Sequence, residues 1–220
     1  IRFLRISGGT FQIGDLFSEG DLDEKPKRWI TLKSFLLGVT EVTQAQWKAL
    51  MGSNPSRFKG EDRPVEKVSW HDVLHFIRKL NVLHGDAVFR LPTEAEWEYA
   101  CREGGVKVRY CNGKDEADKL EIQFLDNRTM PVASFPPNSL GLYDMSGNVW
   151  EWTCSEYRDP YNGSEESCGC EESCTYKYSL RGGSWSSGPR GVRSANRNVI
   201  YGGYGPEEVD SYRGFRLARD

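Results

Sequence analysis

From Glu103 to Asp220 no long helical period occurs, and more than half of the chain is therefore built without long helices. That stretch is short apolar runs broken by Gly, Pro and Asn, of which Tyr178 to Trp185 and Gly214 to Ala218 are the clearest strands. Loops this numerous need fixed points. The chain supplies them as 7 Trp, 10 Tyr and 10 Phe, with 23 Gly where the backbone must turn tightly.

The first half differs. Phe3 to Gly14 alternates apolar and polar residues around a Gly-Gly turn and Trp29 to Phe35 alternates again, so both read as strands opening an irregular sheet. Three helix starts follow: Thr43 with Gln46, Ser69 with Asp72, and Thr93 with Glu96, each a hydroxyl cap followed by a residue that can answer it from the third helical position. In the second helix Val73, Phe76, Ile77 and Leu80 share one face, leaving His71, His75, Arg78 and Lys79 toward solvent as surface residues.

With 220 residues, no repeat and no low-complexity linker, the chain reads as one domain with one sizeable core. A net charge of −3 without a basic, aromatic-interleaved stripe gives nucleic acid no electrostatic footing. The longest apolar stretch, Phe35 to Val39, is far short of the roughly 20 residues of a membrane span, and Ile1 to Ile6 carries two arginines rather than a leader's apolar run. A membrane role is thus confined to a lipid anchor removed with a leader.

Six cysteines suggest disulfides and an oxidising compartment, and Cys154, Cys168, Cys170 and Cys174 crowd into one polar stretch. The acidic segment 155–176 reads as an insertion, a stapled hairpin or a lid. A metal cluster is the weaker alternative, because the Cys-x-Cys-x-x-x-Cys spacing is not that of structural zinc.

The ordered blocks Gly9–Gly14, Asp23–Pro26, Glu41–Trp47, Arg63–Trp70, Arg90–Ala100, Gly141–Thr153, Arg181–Trp185, Arg193–Arg197 and Gly214–Arg219 resemble the formylglycine-generating, sulfatase-modifying enzyme family. The resemblance implies an α+β C-type-lectin-type fold, loop-rich, with short strands and about three helices. Read directly, the blocks are structural: Trp150 and Trp152 straddle Glu151 and project to one side of a strand, and Gly141, Gly147, Gly182 and Gly183 mark tight turns.

Family members that oxidise a substrate cysteine use two cysteines just after the Gly-Gly-Ser-aromatic motif, where thiolates hold copper(I). The matching positions here are Ser187 and Val192, and neither is a soft ligand or a redox thiol. No copper is expected, and with no hydrolase or phosphate-loop motif in the chain, nothing nominates a nucleophile and base. Asp144, Gly147, Val149 and Glu151 match family positions that offer oxygens to calcium; the competing reading has the two carboxylates capping a turn.

The C-terminal pattern further resembles the variable proteins of diversity-generating retroelements, in which mutation of adenines in Asn codons diversifies a ligand-binding face. Ser186, Ser187, Gly188, Arg190, Val199, Ile200, Tyr201 and Tyr204 are residues reachable in that way, and together they have the mixture used by antibody-like paratopes. The resemblance implies a non-catalytic receptor or adhesin with a variable region at 185–219, a protein or cell-surface ligand, and a location at the cell surface or outside the cell. Glu207, Glu208 and Trp185 should be scaffold. The alternatives are a catalytically silent paralogue with one fixed partner and an atypical modifying oxidase.

Overall fold

The computed structural model describes residues 1–85, 88–169, 177–199 and 209–220. Three helices, α1 (Gln44–Met51), α2 (Trp70–His84) and α3 (Glu94–Cys101), start at the three expected caps. At each, the Thr43, Ser69 or Thr93 hydroxyl accepts from an amide three residues on, and Gln46, Asp72 or Glu96 reaches back to the cap's own N–H.

The strands form two four-stranded sheets and a ribbon. One sheet has the order β1 (Phe3–Ile6), β4 (Phe35–Gly38), β10 (Ala218–Arg219), β5 (Phe89–Arg90); the other runs β8 (Arg197–Asn198), β7 (Tyr178–Arg181), β6 (Trp150–Glu156), β9 (Arg213–Gly214). The ribbon pairs β2 (Gly9–Ile13) with β3 (Arg28–Leu32) from Gly9 opposite Leu32 to Ile13 opposite Arg28.

Two local expectations change. β1 and β2 do not pair across Gly8-Gly9; β1 joins β4 and β2 joins β3. A Cβ on Gly8 would sit 2.4 Å from the Leu32 carbonyl, so the glycine allows a close backbone approach rather than a hairpin turn. The C-terminal strand is also split. Arg213–Gly214 belongs to one sheet and Ala218–Arg219 to the other, and Phe215 and Leu217 fill the core on the way across.

Strand β6 divides the interior. Trp150 and Trp152 face one way, into a cluster with Trp47, Trp70, Phe76 and Phe215, and Trp47 stacks on Phe76 with ring centroids 5.2 Å apart. Glu151 takes the other side and accepts from Trp97 Nε1 at 2.7 Å; Trp97 belongs to the second cluster with Phe11, Ile30 and Leu37. A third, smaller cluster holds Tyr110, Ile122, Phe124 and Val192. Two disulfides, Cys101–Cys111 and Cys154–Cys168, staple α3 to the loop after it and β6 to the interior of the 155–176 segment. Cys170 and Cys174 lie outside the described residues.

Candidate ligand-binding face and buried carboxylate site

The predicted face begins where β7 ends. Gly182 and Gly183 have φ of +93° and +74°, and a Cβ on Gly183 would stand 2.5 Å from the Gly191 carbonyl, so this turn admits glycine alone. Trp185 is the next fixed point: its indole N–H donates to Ser211 O at 3.1 Å and its ring meets Phe58 edge-on at 5.4 Å. The Ser187 amide donates to Ser184 O, the Ser184 amide donates to Ser187 Oγ at 3.0 Å, and Leu125 N reaches Ser187 O.

On this base Ser186 and Arg190 are exposed and Ser187 and Gly188 half-buried, all within one short loop. Gly188 is extended, with φ −79° and ψ 174°, and a Cβ built there meets nothing within 4 Å. Any side chain can stand at that position.

Val199 departs from expectation. It is only 4% exposed, so it is corrected from a displayed residue to a core one. β8 explains this: Arg197 is buried, and the residue two places on lies on the same side of an extended chain. Ile200, Tyr201 and Tyr204 lie outside the described residues, as do Glu207 and Glu208.

Ser187 and Val192, the positions that the resemblance matches to the family's two cysteines, serve turn and packing roles. Val192 is fully buried against Tyr110, Ile122 and Phe124, and the Ser187 hydroxyl is held by Ser184. All four cysteines among the described residues are in disulfides.

Beneath the face lies a lattice that sequence reasoning missed. Glu94 and Glu98, one turn apart on α3 and fully buried, meet Arg181 of β7, Arg197 of β8 and Arg102. Arg197 pairs both oxygens of Glu94 at 2.6 and 2.9 Å and donates to Asp23 O and Arg158 O. Arg181 pairs with Glu98 and donates to Ser194, Ala195 and Asn196 carbonyls; Arg102 reaches Glu98 at 2.7 Å. Arg193 takes both oxygens of Glu24 at 2.9 and 2.7 Å. Burial raises the Glu94 carboxyl, but the charges of Arg197 and Arg181 outweigh it and leave it below the usual range. A signal was present: Glu94-x-x-x-Glu98 on α3 is an acidic repeat, and Arg181, Arg193 and Arg197 are charges, in blocks otherwise read as scaffold.

The proposed calcium residues surround a second buried charge group. Glu151 is fully buried and gives both oxygens to Arg216, at 2.6 and 2.7 Å. Asp144, at φ +57°, accepts from Ala133 N at 2.7 Å. Burial pushes its carboxyl up to about 6. Glu41, which the sequence reading did not nominate, adds a third carboxylate: it accepts from Asn148 Nδ2 and Val149 N, and burial followed by the charges of Asp144 and Glu151 raises it well above its ordinary value. Three carboxylates thus share this region with the Arg216 guanidinium. Their oxygens are not drawn together as those of Asp21, Asp23 and Glu24 are, which lie within 4.8 Å of one another, and both oxygens of Glu151 are taken by Arg216.

Sheets crossed by a single C-terminal strand segment, a loop-rich second half and a displayed loop after β7 define a C-type-lectin-type fold. The chain belongs to the family described as the sulfatase-modifying factor enzyme 1-like domain, which matches residues 2–220. Among solved structures it is similar to Treponema denticola variable protein 1, with TM-score 0.85 and 29% identity over 99% of this chain and 94% of that one. It is equally similar to PvdO from Pseudomonas aeruginosa, with TM-score 0.85 and 30% identity over the same shares. The inactive Cα-formylglycine-generating enzyme 2 of Bos taurus is 32% identical over 97% of this chain and 67% of its own length. The chaperone protein LppX of Paenibacillus barcinonensis is 30% identical over 83% of this chain and 78% of its own length. The chain spans only 37% of the serine/threonine-protein kinase pkn1 of Chlamydia caviae, with which it shares 33% identity.

Proposed function

We propose that this chain is a non-catalytic ligand-binding protein, receptor- or adhesin-like, that displays a diversified C-terminal face on a C-type lectin scaffold. The observation that carries the reading is the contrast within one loop: Gly182 and Gly183 can be nothing else, whereas Gly188 can be anything. A face meant to vary needs that arrangement, and Ser186, Ser187 and Arg190 stand beside Gly188 on the same loop. Similarity to a Treponema variable protein and to an inactive formylglycine-generating enzyme, and serine and valine at the family's two cysteine positions, argue the same way. The ligand is a protein or cell-surface molecule. The two disulfides support a location at the cell surface or outside the cell.

The test replaces Ser186, Gly188 and Arg190 in combination, keeping Ser187 because its hydroxyl holds the turn, and measures melting and partner capture. Diversified display requires unchanged melting and exchanged partners. The catalytically silent paralogue, favoured by the similarity to the inactive enzyme, requires that one fixed partner persist through the replacements. Turnover of a cysteine peptide with copper and O2 supplied would overturn both.

Calcium enters this reading as a structural ion held by Asp144, Glu151 and the Gly147 and Val149 carbonyls, with Glu41 beside them. Added calcium should then raise Tm in the wild type and not in Asp144→Asn. An unchanged wild-type Tm removes the ion from the account.

A further inference from the structure

Next to the displayed loop is a cleft of about 230 Å³ lined by Glu19, Arg109, Tyr110, Arg190 and Arg193. Its cations are not equally occupied. Arg193 is spent: it grips Glu24 through both terminal nitrogens and donates its Nε to Arg190 O at 3.0 Å. Arg109 is held but not spent. Its guanidinium lies 4.4 Å over Phe17, Nε donates to Glu19 at 2.8 Å and Nη1 to Asp115 O at 2.9 Å, which leaves Nη2. Arg190 gives only Nη2, to Asp21 at 2.6 Å, and its Nε and Nη1 have no partner among the described residues. That pair is open to water, with side-chain exposures of 65% and 55%, and exposed pairs of this kind exchange readily. Burial holds the Tyr110 phenol above its ordinary value, so it enters the cleft as a neutral hydroxyl.

Glu19, Asp21 and Glu24 balance the three guanidinium charges of Arg109, Arg190 and Arg193, but they do not use up the N–H groups. Glu24 is saturated by Arg193, and Glu19 and Asp21 each take a single guanidinium N–H. What is left over in the side chains lining the cleft is a set of N–H donors, on Arg190 and at Arg109 Nη2, with the Tyr110 side chain beside them. Asp21 takes one of the two N–H groups of Arg190 Nη2, so one fork of the guanidinium, Nη2 with Nε or Nη2 with Nη1, stays open to a planar carboxylate. Since water occupies about 30 Å³ per molecule in the liquid, the cleft has room for a carboxymethyl or carboxyethyl group and a few waters.

We infer that this cleft is an acidic-residue subsite of the binding face, in which an Asp or Glu side chain of the protein ligand is clamped between Arg190 and Arg109. The inference rests on the ligand-binding reading and adds the chemistry of one contact. It also divides the labour: Arg109, Tyr110 and Arg193 belong to the fixed frame, whereas residue 190 belongs to the diversified set. Changing residue 190 alone therefore decides whether the subsite accepts a carboxylate.

The test is a titration of the full chain with N-acetylglutamate amide, followed by the ¹⁵N-resolved Nε–H resonances of its arginines, with N-acetylglutamine amide as the neutral control. Saturable shifts at Arg190 and Arg109 with an affinity on the order of millimolar are expected, with none at Arg193 and none with the control. Arg190→Gln should weaken binding roughly tenfold, the effect of losing one charge-assisted hydrogen bond, while its far-UV circular dichroism stays that of the wild type. Shifts that do not saturate, that appear equally with the neutral control, or that survive Arg190→Gln overturn the inference. Because the probe is a single amino-acid derivative, this result is read separately from whether the whole face captures a partner or the chain turns over a cysteine peptide.

Discussion

The loop 186–190 and the lattice beneath it use arginine to opposite ends. The buried Arg181 and Arg197 guanidiniums pair with carboxylates and carbonyls and lie over the Trp97 and Tyr161 rings, tying β7, β8 and α3 together. The Arg190 side chain touches the protein through one exposed ion pair. The same contrast holds for glycine, which is obligatory at Gly183 and dispensable at Gly188. A surface can be free to change because the charge that would otherwise couple it to the core has been satisfied below it.

The sharpest way to break this comparison is at Arg181. Arg181→Ala leaves Glu94 and Glu98 buried with fewer partners and should cost about 3–5 kcal/mol in urea unfolding; a loss under about 1 kcal/mol would mean the lattice does not hold the sheet to α3. Gly183→Ala comes next. The left-handed backbone and the approach to Gly191 O predict a loss of about 2–4 kcal/mol by the same measurement.

Acid should act on the lattice and not on the loop. The Glu94 carboxyl lies below its ordinary value in the fold, so its contribution is complete above pH 4.5 and is lost as pH falls through the lowered value. Stability measured by urea between pH 6 and pH 3 should therefore fall on the acid side, and Glu94→Gln, less stable at neutral pH, should show a shallower fall. Parallel curves for the two proteins would assign the acid limb elsewhere. The smallest effect belongs to Gly188→Ala, which should lie between neutral and about 1 kcal/mol stabilising, because the extended backbone suits alanine and the unfolded chain loses freedom. A loss there comparable to that at Gly183 would remove the distinction between the two regions.

Much of the frame was legible in the chain. The three capping boxes are local devices, complete within four residues, and they placed α1, α2 and α3. The alternation at Trp150–Glu151–Trp152 gave the two-faced strand that separates the cores. Partnership was not legible. β1 and β2 were read as neighbours across Gly8-Gly9, and the C-terminal strand as continuous, because which strand receives an edge depends on distant chain. Val199 was read as displayed for the same reason: its burial follows from the pairing of β8 with β7, which its neighbours in sequence do not encode.

The sequence by itself determined the family, the helix starts and the glycine turns, since each is written in residues close together or in ordered blocks. Only the tertiary structure decided that Glu94 and Glu98 answer Arg181 and Arg197, that Glu41 joins Asp144 and Glu151, and that Arg109 stands beside Arg190. These are pairings across 80 to 110 positions of chain, and a charge's partner is chosen by which elements pack together, not by what precedes it.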